Sequence, residues 1–188
     1  MSLVESGWLE KNLDNVKIID CSWHMPQTKR NGFDEYKIKH IPGSIFFDLD
    51  LNSKKNTTLP HMLVEIDNWR KIVCKMGIKN SDEIIIYDNS DVISSCRCWF
   101  NFIYFGHDPK LVHILNGGLK KWITENRKTT TELSNIELSN YTCLEKKELV
   151  KTKNLIDQNI KDQKFKVIDA RSKEWFEGKV PESREGLK

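Results

Sequence analysis

Several things are scarce or missing in this 188-residue sequence, and each absence narrows the reading. No stretch approaches the roughly 18 consecutive apolar residues that a membrane span requires. The opening residues Met1 to Trp8 lack a basic start followed by an apolar run, so no secretory signal is expected. Five cysteines (Cys21, Cys74, Cys96, Cys98 and Cys143) have irregular spacing and an odd count, which argues against a disulfide framework. They read as reduced thiols of a cytoplasmic protein, mostly in the core. There is no phosphate-binding glycine loop and no zinc-like CxxC pair. The formal net charge of +3 is too small to call for nucleic acid or a membrane surface as partner. Disorder is excluded by what is plentiful: six Trp and eight Phe within 38% hydrophobic residues.

Four short apolar runs have the look of buried strands: Val16–Cys21, Ser44–Asp48, Glu83–Asp88 and Leu111–Leu115. Helical periods lie between them. Ile66, Trp69, Val73 and Met76 share one face, and Gly77 closes that helix. Cys96–Phe105 is apolar almost all round and is expected to be a deeply buried helix. Gly117 and Gly118 open another, with Leu119, Trp122 and Ile123 inward. Strands alternating with helices predict an α/β fold, a parallel sheet covered on both faces. Ligands of such sheets bind beyond the carboxyl ends of the strands.

Residues 127–142 are rich in Thr, Ser, Asn and Glu and read as an interdomain linker. Glu145–Asp162 has Leu149, Ile156 and Ile160 on one side, an amphipathic helix, and Lys164–Ala170 repeats a buried-strand pattern. The last strand echoes the first. Lys17-Ile18-Ile19-Asp20 and Lys166-Val167-Ile168-Asp169 share a K-[IV]-I-D pattern, each leading toward a tryptophan, Trp23 and Trp175. The expected division is a domain at 1–126, a linker at 127–143 and the truncated start of a second, related domain at 144–188. One strand and a helical turn are too little to bury a core.

The stretches IDCSWHMP (Ile19–Pro26), Arg30, HIPGSIFFDLD (His40–Asp50), LPHML (Leu59–Leu63), Tyr87-Asp88 and RCW (Arg97–Trp99) occur in order. FGH (Phe105–His107), LNGGLKKW (Leu115–Trp122) and IDAR (Ile168–Arg171) follow. Together they resemble the rhodanese superfamily, specifically the tandem-domain thiosulfate/3-mercaptopyruvate sulfurtransferases. The resemblance implies two rhodanese-like domains, the first catalytically silent. The second takes sulfane sulfur from an anionic donor as a cysteine persulfide and passes it to a thiol or cyanide, without metal or organic cofactor. A thiolate at a helix N-terminus suits that task, since backbone N–H groups and the helix dipole stabilise it.

Residue by residue, the resemblance puts Asp88 where the active domain has its cysteine, and a carboxylate cannot hold a sulfane sulfur. Asp50 and His61 match residues of the interdomain cleft, a proton relay and the carboxylate that orients it. Arg184, in Pro181-Glu182-Ser183-Arg184, matches an arginine that binds the donor's anionic end. A second such arginine is replaced here by Trp175, which puts 3-mercaptopyruvate use in doubt. Against each stands a plainer reading: Arg184 as a solvated tail residue, His61 as a polar loop histidine. His40, with Pro42 and Gly43, shapes a turn; His107 and His113 are structural. Cys96 and Cys98, two apart on one helix, point about 200° from each other, which excludes a shared metal or disulfide. Cys96, near the helix start, could have a lowered pKa and act as a displaced thiol. The chain is thus expected to belong to a sulfurtransferase family while lacking the catalytic-cysteine loop and being inactive alone. The alternatives are a non-catalytic interaction module, self-associating or completed by a separate C-terminal half, or a degenerate gene product.

Overall fold

The computed structural model describes residues 2–181 and divides the chain into two compact units, Met1–Leu149 and Val150–Lys188. In the first unit five strands form one sheet: β1 (Leu3–Val4), β2 (Lys17–Asp20), β3 (Ser44–Phe46), β4 (Ile84–Tyr87) and β5 (Val112–Leu115). Their order is β1-β5-β4-β2-β3 and every pairing is parallel. Four of the five were expected; β1 is only two residues long and too short to leave a period in the sequence.

Five helices cover the sheet: α1 (Ser6–Asn12), α2 (Gly32–Ile38), α3 (Ile66–Lys75), α4 (Ser95–Tyr104) and α5 (Gly118–Thr124). Successive strand residues point to opposite faces, and the core divides accordingly. Ile19, Ile45, Ile84 and Ile86 pack on Trp69 and Val73 of α3 and Cys98 and Phe102 of α4. Ile18, Ile85 and Tyr87 pack on Leu9 of α1 and Leu119 and Trp122 of α5. Trp69 is the hub of the first face, with ring centroids 5.0 Å from Phe105, 5.1 Å from Phe102 and 5.9 Å from Phe47. Each such large side chain stabilises the fold by about 1.5–3 kcal/mol through burial.

Two helix expectations need correcting. Helix α4 is not apolar-buried all round: Cys98, Phe102 and Ile103 are buried but Cys96 is exposed and Arg97, Trp99 and Phe100 are partly so, because one face packs on the sheet and the other does not. On α5, Leu119 and Trp122 point inward but Ile123 is exposed, lying one residue beyond the buried stripe.

Residues 127–143, expected to be a linker, lie inside the first unit as an extended strap. Several of its residues bond the domain, although much of the strap faces water. Thr130 pairs antiparallel with His40, Ser134 donates to the Ser44 carbonyl, and Ser139 donates to Ile78 at 2.6 Å. Tyr141 is buried and its hydroxyl bonds His107 Nδ1 at 2.9 Å. The strap passes so close to Gly77 (φ +64°) that a Cβ there would lie 2.5 Å from the Glu137 carbonyl oxygen, so helix termination and strap passage both need that glycine.

The second unit contains helices α6 (Lys153–Asp162), capped by the Thr152 hydroxyl, and α7 (Lys173–Phe176). The amphipathic helix expected over Glu145–Asp162 starts only at Lys153. A separate 3₁₀ turn covers Lys147–Leu149, and Ile160 is 71% exposed. Residues 164–170 are not a strand: Val167 and Ile168 are 64% and 85% exposed. A strand is held by a paired neighbour, and among the described residues this unit has none.

Candidate functional site

The loops beyond the carboxyl ends of β2, β3 and β4 hold the candidate residues. Asp88 directly follows β4 and is buried. Its Oδ1 accepts the Ser90 N–H at 2.9 Å and its Oδ2 accepts the Ser95 N–H, the first residue of α4, at 2.7 Å. The carboxylate therefore fills the space at the helix start where backbone donors and dipole favour an anion. Its carbonyl receives the Leu119 N–H at 2.9 Å. A Cβ on Gly118 (φ +55°) would stand 2.5 Å from that carbonyl oxygen, which explains the second glycine of the Gly117-Gly118 pair. Asp88, Ser95, Cys96, Gly117, Gly118 and Lys120 line a cavity of about 320 Å³. The displaced-thiol expectation fails here. Burial, and then the Asp88 charge, push the Cys96 thiol up rather than down, and Cys98 is buried on the other side of α4.

His61 and Asp50 come together. His61 Nε2 lies 2.8 Å from Asp50 Oδ1, and Asp50 Oδ2 accepts the Trp23 indole N–H at 2.9 Å. The Trp23 and His61 rings meet edge to face, centroids 4.8 Å apart at 85°. His61 has φ +54°, a left-handed backbone that costs of order 1–2 kcal/mol for a residue with a side chain. From α4, the Arg97 guanidinium donates to the His61 carbonyl. Trp23 in turn hangs on the Asp88 loop: its N–H meets Ser90 Oγ at 2.9 Å and Ser94 Oγ at 3.1 Å.

A second polar cluster escaped the sequence reading. Arg30 grips Glu35 with Nε at 2.7 Å and Nη2 at 2.8 Å, and Nη2 also reaches the Asn89 carbonyl. Glu35 further takes the Asn89 amide at 2.9 Å, and His24 Nε2 lies 3.1 Å from it. The bonds from Arg30 hold the Glu35 carboxyl below its ordinary range. Beside it Asp20, at the end of β2, is almost fully buried; desolvation raises its pKa to about 6 against the pull of hydrogen bonds from Ser22 and Tyr87. Asp20, Arg30 and Glu35 line a cavity of about 270 Å³. Arg30 and Glu35 stand five apart, off any helical spacing, so only their flanking of the Asn31 cap of α2 could have hinted at the pair.

Three sequence expectations are histidines in structural places, and each is buried. His40 lies against the Tyr36 and Glu132 carbonyls, His107 between Tyr141 and the Asp82 carbonyl, and His113 lies 3.2 Å from Glu83. In the second unit, Trp175 sits on α7 with the Arg171 guanidinium 5.9 Å from its ring centre, while Arg171 also pairs with Asp169 at 2.7 Å. Arg184 lies outside the described residues. No group of three or more His, Cys, Asp or Glu among the described residues could hold a metal, and none of their helices is long and apolar enough to cross a membrane.

The model of the rhodanese-like domain matches residues 5–125. The thiosulfate/3-mercaptopyruvate sulfurtransferase 1, mitochondrial, of Arabidopsis thaliana is 34% identical over 99% of this chain and 55% of its own length. The 3-mercaptopyruvate sulfurtransferase of Mus musculus is 30% identical over 99% of this chain and 65% of its own. The chain thus spans between half and two thirds of these relatives. Among solved structures, SseA from Escherichia coli, described as a 3-mercaptopyruvate sulfotransferase with the rhodanese fold, superposes with a TM-score of 0.87 at 28% identity. That match covers 99% of this chain and 71% of the other. With the parallel sheet and its flanking helices already in place, these matches make the chain a member of the rhodanese-like domain family, and its relatives are sulfurtransferases.

Proposed function

We propose that this chain supplies the silent first domain of a sulfurtransferase site, with the persulfide-forming cysteine carried on a second rhodanese-like domain outside these residues. In that reading 144–188 belong to the opening of the second domain. The thiolate attacks the sulfane sulfur of thiosulfate, whose S–S bond breaks as sulfite leaves, or the thiol sulfur of 3-mercaptopyruvate, whose C–S bond breaks as pyruvate leaves as its enolate and takes the proton of that thiol. A thiol or cyanide then takes the sulfur and regenerates the thiolate. His61, oriented by Asp50, stands ready to move a proton at that site. Arg184 is the residue assigned to the donor's anionic end, and Trp175 at the partner position weighs against 3-mercaptopyruvate.

The observation that carries the reading is Asp88. Its two oxygens take the loop and helix N–H groups that an active-domain thiolate would use, so this loop cannot accept sulfur. The test is a thiocyanate assay of the purified chain with thiosulfate or 3-mercaptopyruvate plus cyanide. The expected result is no rate above buffer. A rate abolished by Cys96→Ser would overturn it.

A second reading, a non-catalytic interaction module, is favoured by exposed Leu51, Leu59 and Met62 around the His61 loop and Val92 and Ile93 in the Asp88 loop. Self-association or a separately encoded C-terminal half would cover them. Light scattering across a wide concentration range separates the two: a strict monomer throughout counts against self-association.

A further inference from the structure

We propose that Arg97, acting with Trp23, is a positioning residue for the His61–Asp50 pair; the role rests on the reading of that pair as the proton-handling wall of a sulfurtransferase site. Within its own loop the pair is held only through backbone, by the Lys55 ammonium on the Asp50 carbonyl and the Lys54 N–H on the Met62 carbonyl. Asp50 is well exposed, and the residues flanking His61, Pro60 and Met62, are exposed too. What holds the imidazole is a ring of contacts from other elements. Trp23, from the chain after β2, donates to the Asp50 oxygen that His61 leaves free and sets its edge against the imidazole. Both carboxylate oxygens are thereby used, one on each ring, which selects the imidazole tautomer with its proton on Nε2. Arg97, from α4, donates to the His61 carbonyl and so fixes a backbone position of the loop that is left-handed.

The chemistry of Arg97 points the same way. An arginine partly buried in a domain ordinarily faces a carboxylate. Among the described residues Arg97 has no ion-pair partner, and its buried Nε has no hydrogen-bond partner. Its directed contacts are the His61 carbonyl and the Phe100 ring, 5.8 Å from the guanidinium carbon. The start of α4 is itself pinned by Asp88 through the N–H of Ser95, two residues upstream of Arg97. The loop after β4 and the His61 loop are therefore joined by a single helix.

The test reads the imidazole directly. In Arg97→Met the stem that packs on Phe100 is kept and the donor is removed. The expected result is loss of most of the ring-current displacement that Trp23 imposes on the His61 ring proton signals, with mixed tautomers in the ring ¹⁵N shifts. His107 and His113, buried in the same unit, should keep their signals and so report an intact fold. His61 signals that coincide with the wild type in a folded Arg97→Met protein overturn the proposal. Should that variant fail to fold, the wild-type guanidinium decides. The Nη protons of Arg97 are expected to exchange at least tenfold more slowly than those of exposed Arg70, and equal rates overturn the assignment. Trp23→Phe, which keeps a ring and loses the indole N–H, should mix the tautomers while leaving the Arg97 protons protected. None of these readouts involves sulfur. Failure of the thiosulfate chemistry would leave the Arg97 assignment standing, and unchanged His61 signals would leave the sulfurtransferase reading standing.

Discussion

Ile19 and Ile168 hold the same place in the same K-[IV]-I-D pattern, yet Ile19 is fully buried between β3 and β4 and Ile168 is 85% exposed. In the first unit the pattern is the central region of a parallel sheet, with helices on both faces. In the second it is an extended segment with no strand beside it among the described residues. The local sequence is nearly identical, so the difference lies in what surrounds it. A short apolar run becomes a strand when neighbours accept its hydrogen bonds and helices cover its side chains, and intrinsic preference is secondary.

The largest expected effect breaks this comparison at its centre. Ile19→Asp should destabilise the first unit by more than about 4 kcal/mol, since it buries an unpaired charge, whereas Ile168→Asp should change stability by less than about 0.5 kcal/mol. Urea unfolding followed by tryptophan fluorescence measures both. Equal effects would mean that Val167 and Ile168 are buried in solution after all.

Next is the acid that ends the first copy of the pattern. Folding raises the Asp20 pKa from 3.8 to about 6, so between those values the folded state holds a proton that the unfolded state has released. Stability from this group is therefore fullest below about pH 4 and falls as pH rises through about 6, a loss of about 3 kcal/mol. Asp20→Asn keeps an oxygen for the Ser22 N–H and removes the titration. The gap between variant and wild-type unfolding midpoints should open in favour of the variant from pH 4 to pH 7. Asp169, exposed and paired with Arg171, has its pKa lowered instead, so Asp169→Asn should show no such gap.

Two smaller effects sharpen the boundary between the units. Tyr141→Phe removes the hydroxyl on His107 and should cost about 0.5–1.5 kcal/mol, with faster amide exchange in the strap. Were 127–143 a free linker, neither would change. Smallest is a pair of caps. Asn31→Ala, which uncaps α2, should lower the main transition by about 1 kcal/mol. Thr152→Ala, which uncaps α6, should leave that transition unmoved, because the helix belongs to the other unit.

The sheet was legible in the sequence because its strands are runs of Ile and Val bounded by turns, and α3 because Ile66, Trp69 and Val73 keep a helical period. The strap was not, because it is held by hydrogen bonds from Ser134 and Ser139 to backbone and from Tyr141 to the His107 ring, all far away in the chain, and composition alone makes such residues look like a linker. At the site, Asp50, His61 and Asp88 were found through motif resemblance, and their proximity to Trp23 follows from the strand order. Arg97 was visible only as part of a motif, since nothing in its neighbours tells that its guanidinium reaches the His61 carbonyl. The raised pKa of Cys96 runs against its sequence position, because nearness to a helix start suggests a stabilised thiolate, while burial and the Asp88 charge beside it oppose ionisation.

That occupied place has a chemical consequence for selectivity. Asp88 takes one amide donor of its loop and the first of α4, and opposes ionisation of the nearest exposed thiol. A thiol held protonated is a poor nucleophile, since the thiolate is the attacking form. The carboxylate thus works against sulfur capture by the exposed Cys96 beside it.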